Sequence, residues 1–470
     1  MRLDPDLCYQ TLLAKDRRFD GWFFVGVSST GIYCRPVCPV RTPKRENCRF
    51  FANAAAAERA GFRPCLRCRP ELAPGNGLLD VSSRLASAAA ALIDDGFLDT
   101  GNLADLAARV GVTDRHLRRI FDAEFGVSLL AFAQTRRLLT ARQLLTDTRL
   151  PIGTVALAAG FGSVRRFNDL FLKQYGLNPQ RFRNGADVPD AESMTFALGY
   201  RPPFRWPEML AFLAHRCIDG VERIDGDTYS RTLAATHGGR EIAGWIGVRH
   251  APQRYALDVT LSISLAPAVG PVLARVRRFF DLAARPDLID AHLGNLAADA
   301  PGLRVPGALD GFEIAVRAIV GQRLPRPDAR AALARIAARF GTRTVAPAGL
   351  DRLFPSAAIL ARTPVCALEQ TGVAPGDAQA LVAVANEVSS VRVTLDPAAP
   401  LDETLAALRG IRGVGEWAVQ YIAMRALGWP NAFPDDATAA QPDRRAPAWQ
   451  PWRAYAAVHL WNRSEQHARP

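Results

Sequence analysis

Two stretches of the chain repeat the same order of apolar and polar positions. Residues 103–121 and 152–171 each pass from a short apolar segment through a glycine to a hydroxyl residue, Thr113 or Ser163, and then to a segment with paired arginines. Glycine permits a tight turn, and a hydroxyl caps the free N–H groups at the start of a helix. The pattern predicts two helix-turn-helix units joined by an amphipathic helix over residues 129–146. An ordinary bundle with a solvated arginine-rich face is the alternative.

The period of the apolar positions changes twice in the rest of the chain. Residues 194–270 contain alternating segments such as 255–263, which predict strands, and the pattern from residue 272 onward is helical and alanine-rich. Loop-forming runs at 70–77 and 184–190 mark boundaries. We therefore expect a multidomain protein, mostly α with α+β parts. Its domains are a small four-cysteine α+β module (1–75), an all-α double helix-turn-helix domain (80–183), a small antiparallel-sheet α+β domain (194–272) and an all-α helical domain (273–470).

Charge is distributed unevenly between the two halves of the 470-residue chain. Net charge is +12, and residues 1–183 hold 27 Lys/Arg against 17 Asp/Glu, whereas residues 184–470 hold 31 against 29. A basic front half favours a nucleic-acid partner. Neither an apolar run long enough to span a membrane nor a signal-peptide core is evident. We expect a cytoplasmic, nucleoid-associated protein with reduced cysteines, of which Cys217 and Cys366 should be plain core residues.

Four cysteines near the amino terminus have the spacing of a zinc site. Cys34 and Cys38 form a Cys-x3-Cys pair, and Cys65 and Cys68 form a Cys-x2-Cys pair after a gap of 26 residues. Closely spaced pairs of thiolates can reach one zinc ion from two tight turns. On spacing alone, the usual interpretation of this cysteine pattern is a zinc site with a purely structural role. The cations between and beside the cysteines are candidate contacts for DNA phosphates: Arg35, Arg41, Lys44, Arg45 and Arg67.

The surroundings of these cysteines resemble a known family. Residues 19–27, 34–39 and 62–71 look like the N-terminal domain of the Ada-type adaptive-response regulators. The resemblance implies that one zinc-bound thiolate, at the position of Cys34, irreversibly accepts a methyl group from a DNA methyl phosphotriester. Four thiolates around one zinc ion carry a formal charge of about −2, and methylation reduces that charge by one. The site would thus become less repulsive to DNA.

The two helix-turn-helix units resemble the DNA-binding domain of AraC-type regulators. By that resemblance the paired arginines lie on recognition helices that enter the major groove: Arg118, Arg119, Arg165 and Arg166. Promoter DNA, and through it RNA polymerase, would then be partners of the front half.

The C-terminal half carries a Gly-x-Gly turn between two predicted helices, at Gly413 and Gly415. Such a turn lets backbone N–H groups approach a phosphate. Together with residues 201–206, 312–322, 433–436 and 449–461, it resembles the AlkA-type 3-methyladenine DNA glycosylase II. The resemblance implies base flipping and cleavage of the N-glycosidic bond of 3-methyladenine and 7-methylguanine. The matching pocket residues are Trp417, Tyr421 and Trp461, and Asp436 is the matching catalytic carboxylate.

The glycosylase resemblance has departures that leave an alternative open. Asp436 stands 19 residues after Trp417, where the family has 20, and Pro325 and Pro327 follow Gln322 where they would interrupt a helix. The alternative is a transcription regulator whose glycosylase-like half binds damaged DNA without catalysis. A regulator that is stabilised by zinc and answers another ligand is a further one. The run around Cys366 lacks the Pro-Cys-His-Arg motif, so repair of O6-methylguanine is not expected.

Overall fold

The computed structural model describes residues 3–74, 84–183, 192–434 and 446–467. Its front module is a four-stranded sheet with two helices. The strand order is β3-β1-β2-β4, in which β1 is antiparallel to β2 and β3 while β2 and β4 run parallel. The elements are α1 (Pro5–Ala14), β1 (Phe24–Val27), β2 (Ile32–Cys34), β3 (Cys48–Phe51), α2 (Ala54–Arg59) and β4 (Arg63–Pro64).

The second region is all helical, as its apolar period predicts. The predicted joining helix is present as α7 and is longer by one residue than expected. The helices are α3 (Arg84–Asp94), α4 (Phe97–Thr100), α5 (Leu103–Val110), α6 (Asp114–Phe125), α7 (Leu129–Asp147), α8 (Ile152–Ala158), α9 (Val164–Tyr175) and α10 (Pro179–Arg183).

A five-stranded antiparallel sheet with one helix follows, and its strand order is β5-β9-β8-β7-β6. The alternation at 255–263 corresponds to the single strand β9, which pairs with a neighbour on each side. The elements are β5 (Ser193–Gly199), α11 (Trp206–Ala214), β6 (Glu222–Asp225), β7 (Thr228–His237), β8 (Arg240–Ala251) and β9 (Ala256–Ser262).

The last region consists of helices around one apolar core. Pro325 and Pro327 do not interrupt a helix, because they lie at the start of α15, where proline is tolerated. The helices are α12 (Val269–Phe279), α13 (Pro286–Leu293), α14 (Gly311–Gly321), α15 (Arg326–Phe340), α16 (Ala357–Ala361), α17 (Val365–Glu369), α18 (Pro375–Ser389), α19 (Leu401–Gly410), α20 (Glu416–Arg425) and α21 (Arg453–His467). The predicted fold class is confirmed.

The hydrophobic cores cross two of the expected boundaries. Phe167 and Phe171 of the second helix-turn-helix unit belong to the same buried cluster as Phe196 of the five-stranded sheet. The boundary expected at 272/273 falls inside α12, whose Val272 and Val276 pack into that cluster as well. The helix-turn-helix region and the sheet therefore share a core. The expectation for Cys217 and Cys366 is wrong, since Cys217 is only half-buried and Cys366 is exposed.

Candidate metal centre and nucleic-acid interfaces

The four cysteines of the front module converge on one point. Cys34 ends β2, and the parallel pairing of β2 with β4 brings Cys65 beside it, where the Cys65 N–H donates to Tyr33 O over 2.9 Å. All four sulfur atoms are buried and lie within 4.8 Å of one another. Zinc–sulfur bonds of about 2.3 Å in a tetrahedron place sulfurs about 3.8 Å apart. The four side chains therefore fit a single tetrahedral zinc ion.

Arg35 has a different role from the predicted one. Its guanidinium is buried, donates to Asp20 Oδ1 over 2.8 Å and to Cys68 O over 3.0 Å, and forms a second ion-pair contact with Asp20. A side chain that is fully used inside the module does not reach a DNA phosphate. The expectation of a phosphate contact is therefore wrong for Arg35 in this conformation, which instead ties the cysteine loop to Asp20.

The other four predicted phosphate contacts lie on the surface. Arg41, Lys44 and Arg67 are exposed. Arg45 is partly covered, because it pairs with Asp6 over 3.1 Å and lies over the rings of Tyr9 and Phe50. These four cations remain available to an anionic partner.

Both helix-turn-helix units have the predicted turn and cap. Gly111 and Gly160 adopt φ values of +81° and +82°. Thr113 Oγ1 accepts the His116 N–H over 3.3 Å and Ser163 Oγ accepts the Arg166 N–H over 3.4 Å, so the hydroxyls start α6 and α9. The two N-cap predictions are confirmed.

The arginines of α6 and α9 are exposed, as a groove-reading face requires. Arg165 and Arg166 are exposed in the first turn of α9. Arg118 is held by Asp114 over 2.9 Å, and Arg119 lies 3.2 Å from the His116 ring. Sequence reasoning overlooked Arg115, which is exposed in the first turn of α6; its place directly after the capping Thr113 and Asp114 was the available signal.

The Gly-x-Gly turn between α19 and α20 is a tight hairpin. Gly413 has φ +96°, and an added Cβ would come within 2.9 Å of Gly376 O. The Gly415 N–H donates to Gln322 Oε1 over 2.9 Å. This amide is therefore not free for a phosphate in this conformation, contrary to the simplest expectation from the motif.

The three predicted pocket aromatics come together beside this hairpin. Trp417 stacks on Tyr421 with ring centroids 4.9 Å apart, and Trp461 of α21 lies 6.2 Å from Tyr421. Phe212 of α11, which sequence reasoning overlooked, stacks at 6.2 Å on the other side of Trp461. Its place in the apolar segment after residues 201–206 gave no signal beyond core hydrophobicity. The arrangement provides aromatic faces from three helices.

Two arginines line the inner side of these rings. Arg425 Nη1 donates to the Tyr421 hydroxyl over 2.7 Å, and Arg216 lies 3.7 Å over the Phe212 ring. Burial by itself raises the pKa of Tyr421, but the charges of Arg425 and Arg216 outweigh it and hold the pKa below the usual value. The tyrosine oxygen is therefore fixed as an acceptor toward Arg425.

Asp436 lies outside the described residues. The chain just before it is anchored to α20, because the Phe433 N–H donates to Gln420 Oε1 over 3.2 Å. Within the described ranges, no helix is both long and apolar enough to cross a membrane.

Three family models match the chain in succession. The metal binding domain of Ada matches residues 7–71, a helix-turn-helix domain matches residues 106–185, and the AlkA N-terminal domain matches residues 195–310. The family resemblances drawn from the motifs are confirmed. With its four converging sulfurs, the module matched by the Ada metal-binding model is the site of one zinc ion.

Relatives match the whole chain and its parts. A probable bifunctional transcriptional activator/DNA repair enzyme AlkA of Mycobacterium tuberculosis is 36% identical over 99% of this chain and 97% of its own length. DNA-3-methyladenine glycosylase 2 of Escherichia coli is 34% identical over 57% of this chain and 96% of its own length. The bifunctional transcriptional activator/DNA repair enzyme AdaA of Bacillus subtilis is 34% identical over 37% of this chain and 81% of its own length.

Proposed function

We propose that this protein, which belongs to the family of bifunctional transcriptional activator and DNA repair enzymes, both senses methylated DNA backbone and excises alkylated purines. The front half is a suicidal methyltransferase acting on DNA methyl phosphotriesters, and the back half is a DNA-3-methyladenine glycosylase. The observation that carries the first activity is the cluster of four buried cysteines with Cys34 at the end of β2.

Cys34 is the proposed nucleophile because it stands at the position of the methyl-accepting cysteine in the Ada-type resemblance. The Arg35 backbone N–H donates to the Cys68 sulfur over 3.3 Å. A hydrogen bond to a thiolate withdraws charge from it and makes it less nucleophilic. This contact supports Cys34 over Cys68 as the attacking sulfur.

The transfer is a single displacement at carbon. The Cys34 thiolate attacks the methyl carbon, the S–C bond forms as the C–O bond breaks, and the bonding pair leaves on the oxygen of an ordinary phosphodiester. A bound zinc ion keeps the thiols deprotonated at neutral pH. Because the resulting thioether is stable, each molecule reacts once.

Mass spectrometry tests this assignment on the zinc-loaded full chain. After incubation with methylated duplex DNA, the peptide that contains Cys34 should gain one methyl group. Cys34→Ser should take up none, whereas Cys48→Ser, at a buried cysteine outside the cluster, should behave like the wild type. Zinc content is measured in parallel to separate a lost nucleophile from a lost site. Stoichiometric uptake by Cys34→Ser would refute the assignment.

The cysteine cluster contacts α7, the helix that joins the two helix-turn-helix units, and we propose that the methylation signal passes through this contact. Arg142 of α7 is fully buried, donates to Cys65 O over 2.9 Å and pairs with Glu71 over 3.1 Å. The loss of one negative charge at the cluster makes the protein less repulsive to DNA.

We propose that the methylated form binds promoter DNA through α6 and α9 and recruits RNA polymerase, at the nucleoid in the cytoplasm. Transcription with purified polymerase should rise only with methylated protein; equal activity of both forms would refute the switch.

The back half is proposed to remove 3-methyladenine and 7-methylguanine. These bases are cationic, so they stack favourably on electron-rich rings such as Trp417, Tyr421 and Trp461. Asp436 is the carboxylate proposed to stabilise the oxocarbenium-like sugar. The assignment rests on the match of Asp436 to the position of the catalytic carboxylate in the glycosylase resemblance. The glycosylase relative that is matched over 96% of its length supports catalysis over the alternative of an inactive binding module.

Base release from alkylated DNA tests this activity. Asp436→Asn should reduce single-turnover release of 3-methyladenine by at least about 100-fold, the range for loss of an electrostatic stabiliser. Asp435→Asn removes the same charge one residue earlier and is the control that should keep activity. No release by the wild-type chain, or equal release by Asp436→Asn, would favour the inactive alternative.

A further inference from the structure

Gln322 makes three hydrogen bonds that hold the hairpin between α19 and α20. It caps the carboxyl end of α14, and its side chain reaches across to the turn. Its Oε1 accepts the Gly415 N–H over 2.9 Å, while its Nε2 donates to Gly413 O over 2.8 Å and to Asp377 Oδ1 over 2.9 Å. Both amide hydrogens and the carbonyl oxygen are therefore used.

The chemistry of the three partners admits only an amide in one orientation. Gly415 N–H can only donate, and the Gly413 carbonyl can only accept. Asp377, whose side chain is 2% exposed, accepts as a carboxylate and fixes which end of the amide faces it. An apolar side chain at position 322 would remove all three bonds, and a carboxylate would face the buried Asp377 carboxylate with a like charge.

Besides Gln322, the ion pair of Arg409 with Glu416 links α19 to α20 over 2.8 Å. Gly415 is the N-cap of α20 and has no side chain, so α20 lacks a capping side chain of its own. Gln322, at the end of α14, instead accepts from the N–H of this N-cap residue itself. Trp417, the first aromatic of the proposed base pocket, lies two residues beyond Gly415. The position of this ring therefore depends on the hairpin that Gln322 fixes.

We infer that Gln322 is a positioning residue that sets the DNA-binding hairpin and the start of α20 in register with the base pocket. The inference rests on the proposed glycosylase function. Gln322 itself does not touch the base, because its amide is spent on the hairpin. Its effect is on DNA affinity and on placement of the flipped base.

Three variants of the zinc-loaded full chain test the inference. Gln322→Glu is isosteric, but it cannot donate to Gly413 O and it faces Asp377 with a second carboxylate. Gln322→Met keeps the length and removes all three bonds. The double variant Gln322→Glu/Asp377→Asn restores one donor–acceptor pair with the roles exchanged. Gln370→Glu makes the same charge change on the surface, where Gln370 only accepts a bond from Arg339, and is the matched control.

The readouts are hydrogen exchange at residues 413–417 and affinity for a duplex that contains a tetrahydrofuran abasic-site analogue. Gln322→Glu and Gln322→Met should bind about tenfold more weakly, the change that the loss of a hydrogen bond of ordinary strength produces, and their hairpin amides should exchange faster. The double variant should regain affinity relative to Gln322→Glu, and the control should match the wild type. Single-turnover base release at saturating protein should fall less than affinity.

Wild-type exchange and affinity in both single variants would overturn the inference, as would a double variant no better than Gln322→Glu. Should Gln322→Glu fail to fold by circular dichroism, Gln322→Met carries the same test. Absence of base release from the wild type would refute the proposed activity alone, because exchange and analogue binding are measured without catalysis.

Discussion

Replacing Arg231 with methionine should weaken the junction between the five-stranded sheet and α14. Arg231 of β7 contacts Glu313 of α14 over 2.6 Å and Glu222 of β6 over 3.3 Å, and Arg317 pairs with both glutamates. All four side chains are at most 8% exposed. Two positive and two negative charges cancel, so the variant leaves one uncompensated negative charge in a buried site.

The structure sets the size of this effect. Removing one partner of a buried ion pair costs about 3–5 kcal/mol, and methionine fills the space well enough that a cavity adds little. The double variant Arg231→Met/Glu222→Gln restores neutrality, so it should recover about 2 kcal/mol of that loss. Hydrogen exchange at the amides of β7 and α14 reports the free energy of local opening.

The pH dependence gives an independent check with a defined sign. Burial raises the pKa of Glu313, but Arg231 and Arg317 outweigh it and lower the pKa to about 2. Its contribution is therefore present above its unfolded pKa of about 4.3 and is lost as pH falls toward about 2. The difference between Arg231→Met and the wild type should shrink over that window, because a protonated glutamate needs no partner.

Arg254→Met is the control for this experiment. Arg254 pairs with Asp258 at the edge of the same sheet but is 61% exposed, so its loss should change stability by less than about 1 kcal/mol. Opening free energies of Arg231→Met within about 1 kcal/mol of the wild type would refute the reasoning. The cluster would then be equivalent to an apolar contact.

Three further predictions concern the module junctions and the pocket. Burial raises the pKa of Glu58 to about 7 at the contact of α2 with α7. As pH rises from about 4.5 to about 7, the wild type should therefore lose up to about 3 kcal/mol of folding stability relative to Glu58→Gln. Equal thermal stability of the two proteins at pH 5 and pH 8 would contradict this. Arg201 is fully buried and donates to Asp20 O over 3.0 Å and to Ala283 O over 2.5 Å. Arg201→Met should therefore lower folding stability by about 3 kcal/mol and speed proteolysis between the front module and the back half. Unchanged cleavage would show that the contact is dispensable. Trp417→Ala removes one stacking face and should slow release of 3-methyladenine by about tenfold or more. Methyl uptake at the front module should stay constant. A normal release rate would exclude Trp417 from the pocket.

Much of the candidate site could be predicted because its signals are local in the chain. The cysteine pairs span three and two residues, and each of Thr113 and Ser163 caps a helix that begins at the next residue. The Gly-x-Gly motif likewise marks a tight turn within a few residues. Such features are set by backbone conformation and side-chain reach over one turn, which the sequence displays directly.

The errors occurred where a distant residue decides the outcome. The place of Arg35 between two cysteines predicts a phosphate contact, yet its side chain is buried against Asp20 and the Cys68 carbonyl. The Gly415 amide was expected to face DNA, yet Gln322 takes it from another helix. Phe212 was indistinguishable from core until α11 was placed against Trp461.

The amino-acid sequence by itself thus determined the order of modules, the helix and strand periods, and the ligand set for zinc. Only the tertiary structure decided which charges are spent internally, how the second helix-turn-helix unit merges its core with the sheet, and which helix shapes the hairpin. The physical reason is the separation along the chain of the residues that interact. Periodicity and capping depend on neighbours within a few residues, whereas the partner of a buried arginine or amide is chosen by packing between segments that lie far apart in the chain.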